Sequence, residues 1–195
     1  VVVRPCRRGG VVARLARETY LGWRPRPLRE LVVTAEVRRR GVAAAEVLAA
    51  RVEGGFAYRG ALVTAEVADA TTLIDALRHA PDGAARGALA GLAGRAVGVL
   101  HEAGVFHADL NLTNMLVQRT GETTRVVFLD FDRARLSTRP LGTPARRRNL
   151  RRLARSVAKL DPEGRLVGLP ERAAFLATYD GAGTPGFNGL DACGY

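Results

Sequence analysis

The chain has 195 residues, 47% of them apolar, which is enough for a real core and excludes a largely disordered polypeptide. Its 29 arginines and one lysine, Lys159, against 19 acids give a formal charge of +11 and point to an anionic partner: nucleic acid, an acidic membrane surface or a phosphorylated substrate. Cys6 and Cys193 stand alone, without the spacing of a disulfide framework or zinc site, and no apolar run approaches the ~20 residues of a spanning helix.

Val1 to Arg4 reads as the middle of a strand, so the natural protein is expected to begin upstream. Arg7-Arg8-Gly9-Gly10 is a turn, and residues 11–20 form a short amphipathic or irregular segment. After Pro25 and Pro27, apolar residues at helical spacing from Leu28 to Val37 predict a helix that ends in three arginines and Gly41, with its basic end where the helix dipole favours it. Strand-like runs follow at 46–52 and 57–67, broken by Gly54-Gly55 and Gly60. A short helix is predicted at 72–77 and a longer one at 84–103, the latter weakened by internal glycines and closed by Gly104. Strands at 115–118 and 125–130 are joined by a turn at Thr120-Gly121-Glu122. A helix at 149–160 carries Leu150, Leu153, Val157 and Leu160 on one face, and residues 180–195 read as a loose tail.

Chemistry concentrates in His107-Ala108-Asp109-Leu110-Asn111-Leu112-Thr113-Asn114 and, one hairpin later, Phe128-Leu129-Asp130-Phe131-Asp132. Phosphoryl transfer from a nucleotide needs a carboxylate to orient the attacking hydroxyl and hard oxygen ligands to hold Mg²⁺ against the phosphates. Asp109 suits the first task, Asn114 and Asp130 the second. Each residue taken alone is an ordinary turn former. The joint pattern H-x-D-x-x-x-x-N, strand, turn, strand, Asp is far more specific. His101 and His107 lack a third metal ligand and read as structural, His107 bracing the loop.

These motifs resemble the protein-kinase-like superfamily. Within it, the H-A-D-L-N-x-x-N stretch, Asp130-Phe131-Asp132-Arg133 in place of D-F-G, the 149–156 segment, Arg4-x-x-Arg7-Arg8-Gly9-Gly10 and the Arg29-Glu30 pair resemble the 3-deoxy-D-manno-octulosonic acid (Kdo) kinases of the lipopolysaccharide kinase family, over residues 1–159. The resemblance implies an α+β, two-lobe kinase-like fold, divided into a sheet-bearing lobe at 1–67, a mainly helical catalytic lobe at 68–179 and the tail. It implies ATP as donor, Mg²⁺ as cofactor and a Kdo-bearing lipid A precursor as acceptor, handled peripherally on the cytoplasmic face of an anionic inner membrane.

For the site, the resemblance implies catalytic roles for His107, Asp109 and Asn111 and metal ligation by Asn114 and Asp130. A superfamily kinase pairs a strand lysine with a helix glutamate over the nucleotide phosphates; here Arg4 is the stand-in, with Glu30, or else Glu36, as partner. The glycine-rich loop that precedes that strand is expected upstream of Val1. Backbone groups at Glu66 and Val67 are expected to meet the adenine edge, and Asp132, Arg133, Arg146, Arg147 and Arg148 the acidic acceptor. A kinase of another small molecule or of a protein shares H-x-D-x-x-x-x-N and is the nearest alternative. A nucleic-acid-binding module explains the charge but finds no aromatic platform or recognition motif.

Overall fold

The computed structural model describes residues 1–5, 20–23 and 25–180, so the turn expected at 7–10, the segment expected at 11–19 and the tail from 181 onward lie outside the described residues. The first lobe is an antiparallel sheet with one helix. Strand β4 (Ala57–Thr64) is its centre: β3 (Val47–Gly54) covers one edge, while β1 (Val2–Pro5) and β2 (Tyr20–Leu21) lie end to end along the other, pairing with 61–64 and 57–58 respectively. Helix α1 (Arg26–Arg39) starts with Pro27 in its first turn, where a missing N–H costs nothing, and ends on Arg38 and Arg39. Gly60 does not break β4. A side chain there would collide with Pro27, so the glycine is what lets α1 lie close against the strand.

After β5 (Ala70–Thr72) the second lobe is mainly helical: α2 (Leu73–Arg78), α3 (Gly83–Glu102), α4 (Thr143–Leu160) and α5 (Leu169–Asp180). Thr72 and Asp82 cap α2 and α3 by accepting from the N–H of Asp75 and Ala85. A hairpin of β7 (Met115–Thr120) and β8 (Thr123–Phe128), extended by β5, and a two-residue pairing of β6 (Val105–Phe106) with β9 (Arg135–Leu136) frame the loops between them.

Two differences from the sequence reading have physical causes. Helix α4 begins six residues before Asn149, because Gly142 caps it and Pro144 sits in its first turn. Helix α5 was not anticipated, and it accounts for the glycines of α3: a side chain at Gly94 would strike Phe175 O, and Thr178 Oγ1 donates to Gly91 O at 2.7 Å. The glycines therefore bring α5 close rather than shorten α3. Between the helices and hairpin lies a core that includes Val97, Leu100, Leu110, Met115, Phe128, Phe131 and Tyr179.

Candidate active site

The loop between β6 and β7 is held by hydrogen bonds that its own sequence supplies. Asn111 Oδ1 accepts from Thr113 N (2.9 Å), Thr113 Oγ1 (2.7 Å) and Asn114 N (2.9 Å), and its Nδ2 donates to Asp109 O at 3.1 Å. Its polar atoms are engaged within the loop, so Asn111 shapes the loop. His107 does the same from beneath: buried against Phe131 and Phe128, it accepts Asp109 N–H at Nδ1 (3.2 Å) and donates from Nε2 to Leu129 O (2.9 Å). That pattern requires the neutral ring, and burial pushes its pKa below the ordinary histidine value.

Below the loop, Asn149 of α4 is fully buried. Its Oδ1 accepts from His107 N (3.1 Å) and His101 Nε2 (3.2 Å), its Nδ2 donates to His107 O (2.7 Å), and His101 Nδ1 is 2.8 Å from Tyr179 Oη of α5. Asn149 thus joins the 107–114 loop to α4 and α3, and His101 carries the network on to α5. Burial pushes His101 down to about 4. As pH falls below the ordinary histidine value of ~6.5, the unfolded chain takes up a proton that the folded chain refuses. The stability difference between wild type and His101→Gln, read from urea titrations, should therefore shrink by roughly 3 kcal/mol between pH 6.5 and about 4, whatever the other groups that titrate in that window add to both proteins.

The two carboxylates occupy different surroundings. Asp130 follows β8 with φ of 62°, a left-handed conformation uncommon outside glycine, and lines the cleft between the lobes. One of its oxygens accepts Asp132 N–H at 3.3 Å, and among the described residues no arginine or lysine pairs with it. Asp109 is half-exposed on the loop and tied to Arg152 of α4, whose Nε lies 3.1 Å from Oδ1 and whose Nη2 contacts the same oxygen. Desolvation opposes ionisation of Asp109, but the Arg152 guanidinium outweighs it and holds the carboxyl below its ordinary value.

Asn114 Nδ2 donates to Asp109 O (2.9 Å) and Oδ2 (3.3 Å), an orientation only the nitrogen can take toward two acceptors, so Asn114 Oδ1 is left for another donor or a cation. The bond from Leu129 N to Asn114 O, 2.9 Å, ties that residue to the stretch carrying Asp130. An amide oxygen and an uncompensated carboxylate are the hard donors that Mg²⁺ takes.

The cleft, about 230 Å³, is lined by Arg4, Glu30, Thr34, Glu66, Val67 and Asp130 together with apolar residues such as Leu116. Arg4 Nη2 meets Glu30 Oε1 at 3.2 Å, whereas Glu36 is engaged by Arg39 and Arg40. Burial first, and then the charge of Asp130, push the Glu30 carboxyl up to about 7 despite Arg4. Thr34 Oγ1 is buried without a partner, and the backbone groups of Glu66 and Val67 find none among the described residues.

The expected acceptor residues do not gather in the same way. Asp132 pairs with Arg26 at the start of α1, with Nε 2.9 Å from Oδ1 and Nη2 on Oδ2, and so secures that helix. Arg133 is exposed. Arg146 points inward: 5% exposed, it donates to Leu141 O (2.6 Å) and Glu102 Oε1 (2.9 Å), which removes it from the cationic surface that Arg147 and Arg148 still occupy. Composition could not separate these arginines, but helical period does, since Arg146, Asn149, Leu150 and Leu153 are the buried stripe of α4. Arg26 carries site geometry that the sequence reading had not assigned to it, and Asn149 and Arg152, read there as part of the family-like 149–156 segment and of its cationic stretch, also hold the 107–114 loop.

The 3-deoxy-D-manno-octulosonic acid kinase of Xanthomonas campestris pv. campestris (strain B100) is 38% identical over 164 residues, which cover 82% of this chain and 62% of that protein. The kinase of the same description from Vibrio cholerae serotype O1 is 31% identical over 161 residues, covering 80% and 65%. The chain thus spans less than two thirds of the length of these curated relatives. Among solved structures, WaaP in complex with acyl carrier protein superposes with a TM-score of 0.60 at 22% identity, covering 83% of this chain and 67% of that one. The Rio2 kinase of Chaetomium thermophilum superposes with a TM-score of 0.50 at 17% identity, covering 82% and 46%. Both share the two-lobed kinase-like fold. Residues 1–179 match the Lipopolysaccharide kinase (Kdo/WaaP) family, and the chain is a member of that family.

Proposed function

We propose that this chain carries the catalytic machinery of an ATP-dependent phosphotransferase acting on a hydroxyl of Kdo in the lipopolysaccharide inner core. The observation that carries the reading is the interlobe cleft, where the Arg4–Glu30 pair and the uncompensated Asp130 line one cavity, tied through Leu129 to the loop bearing Asp109 and Asn114. The family and the names of the curated relatives support the acceptor.

In this reading the adenine meets the open backbone groups of Glu66 and Val67, and Arg4, steadied by Glu30, contacts the phosphates. Asn114 and Asp130 would hold Mg²⁺, which would supply neutralisation of phosphate charge. The acceptor oxygen bonds to the γ-phosphorus as the bond to the β–γ bridging oxygen breaks; ADP leaves with that electron pair, and the hydroxyl proton passes to Asp109. No helix among the described residues is long and apolar enough to cross a membrane, and the exposed arginines of α4 suit a peripheral position against anionic lipid on the cytoplasmic face.

The test is phosphate transfer from labelled ATP to a panel of Kdo-bearing lipid A precursor, small neutral sugars and a generic protein. Transfer confined to the precursor supports the reading; preferential labelling of the protein overturns it. The Arg4–Glu30 pair gives a second expectation. Arg4→Ala and Glu30→Ala should each lower kcat/KM by about 10²-fold, and the double variant by little more, because the two act as one unit. Multiplicative losses would show that the pair does not work together.

A further inference from the structure

The Arg152–Asp109 contact does more than neutralise a carboxylate. Both Arg152 donors that reach Asp109 fall on Oδ1, while Asn114 Nδ2 donates to Oδ2 at 3.3 Å. A carboxylate oxygen accepts about two hydrogen bonds, so the arginine saturates Oδ1 and leaves the open position on Oδ2. An acceptor hydroxyl that uses Asp109 is directed to Oδ2, on the carboxylate whose other oxygen holds the guanidinium. Arg152 is itself 42% exposed, and its Nη1 has no partner among the described residues. An arginine with one edge on a carboxylate keeps another edge for an oxyanion.

Helix α4 extends the same property away from Asp109. Arg148, Arg152 and Arg155 stand four and three residues apart, on one face, and α4 contains no acidic residue. Arg148 and Arg155 are exposed and, among the described residues, unpaired. The inward turn of Arg146 interrupts the consecutive run 146–148, while this row stays open to an anionic ligand.

We infer that Arg152 is a specificity-determining residue: together with Asp109 it forms an acceptor site that takes a hydroxyl flanked by an oxyanion, which the Arg152 guanidinium binds and the Arg148–Arg155 row attracts. This rests on the kinase reading above and adds to it the group that the acceptor must carry. A sugar carboxylate and a lipid-borne phosphate share the required chemistry, and the experiment separates them.

Wild type, Arg152→Lys and Arg152→Ala, each in the full-length protein, are assayed with three acceptors: Kdo-bearing lipid A precursor, its Kdo methyl ester, and the precursor with its phosphates removed. For the wild type, removal of the responsible oxyanion should lower kcat/KM by about 30-fold, through KM, and the arm that loses activity identifies the group. Arg152→Ala should lose about that factor on the intact acceptor and discriminate no further, with KM for ATP unchanged, and Arg152→Lys should recover part of the loss. Equal turnover of all three acceptors by the wild type, or persistence of the wild-type discrimination in Arg152→Ala, would overturn the inference while leaving the kinase reading intact. An equal fall of kcat on all acceptors in Arg152→Ala, with KM constant, would make the arginine a support for Asp109 only and overturn it too. Failure of the wild type to phosphorylate any of the three overturns both readings. Nucleotide affinity, measured in parallel, verifies that each variant is folded.

Discussion

Asp130→Ala is expected to abolish Mg²⁺-dependent nucleotide binding, whereas Asp109→Asn should bind nucleotide normally and lose turnover by about 10³-fold. The two carboxylates differ in where the fold puts them. Asp130 lines the cleft with no cationic partner among the described residues, and its left-handed backbone turns it there at a cost that the fold absorbs. Asp109 sits outside the cleft lining, on the loop, already held by Arg152 and Asn114. Substitution by asparagine keeps the shape and the acceptor oxygen but removes the charge that takes the hydroxyl proton. Titration of a fluorescent ATP analogue with and without Mg²⁺, alongside transfer rates, separates the two. Matching losses of nucleotide affinity in both variants would contradict the division.

A second large effect is expected away from the cleft. Asn149→Ala should destabilise the protein by about 3–5 kcal/mol, a large share of the stability of an ordinary domain. The truncation leaves the N–H and C=O of His107 and the Nε2–H of His101 buried without partners, at roughly 1–3 kcal/mol each. Asn149→Asp should not rescue it, since aspartate cannot donate to His107 O and would place a charge in a fully buried position. Urea denaturation with the slope held common to all variants measures both; a loss under about 1 kcal/mol would show that water replaces the amide.

Much of this was legible in the residues. The helical spacing ahead of Gly41 marked α1, and the spacing of Asp109, Asn114 and Asp130 marked one chemical unit, because that chemistry needs those types at those separations. The partnership of Arg4 with Glu30, 26 residues apart, rested on resemblance, since no local pattern encodes which side chains meet across a fold. Helix α5 escaped notice because its evidence lay elsewhere: Gly91 and Gly94 looked like flaws in α3 until the helix they admit was in place. The arginines of α4 were misjudged as a group for a related reason. Charge tells how many there are, and only their phase on the helix tells that Arg146 enters the core while Arg152 reaches the loop.

Helix α1 is fastened at both ends to the lobe it does not belong to by sequence. Arg26 grips Asp132, Arg29 Nη2 donates to Ala134 O at 3.3 Å, and Arg40 Nη1 donates to Ala103 O at 2.9 Å and Ser137 O at 2.6 Å. A swing of the helix as a switch would break all of these contacts together. The same helix lies against β4 at Gly60 and donates Arg26 N–H to Tyr58 Oη at 3.0 Å, so α1 is the piece that couples the sheet to the second lobe. The Arg4–Glu30 pair adds a further tie between β1 and that helix, on the side that faces the cleft.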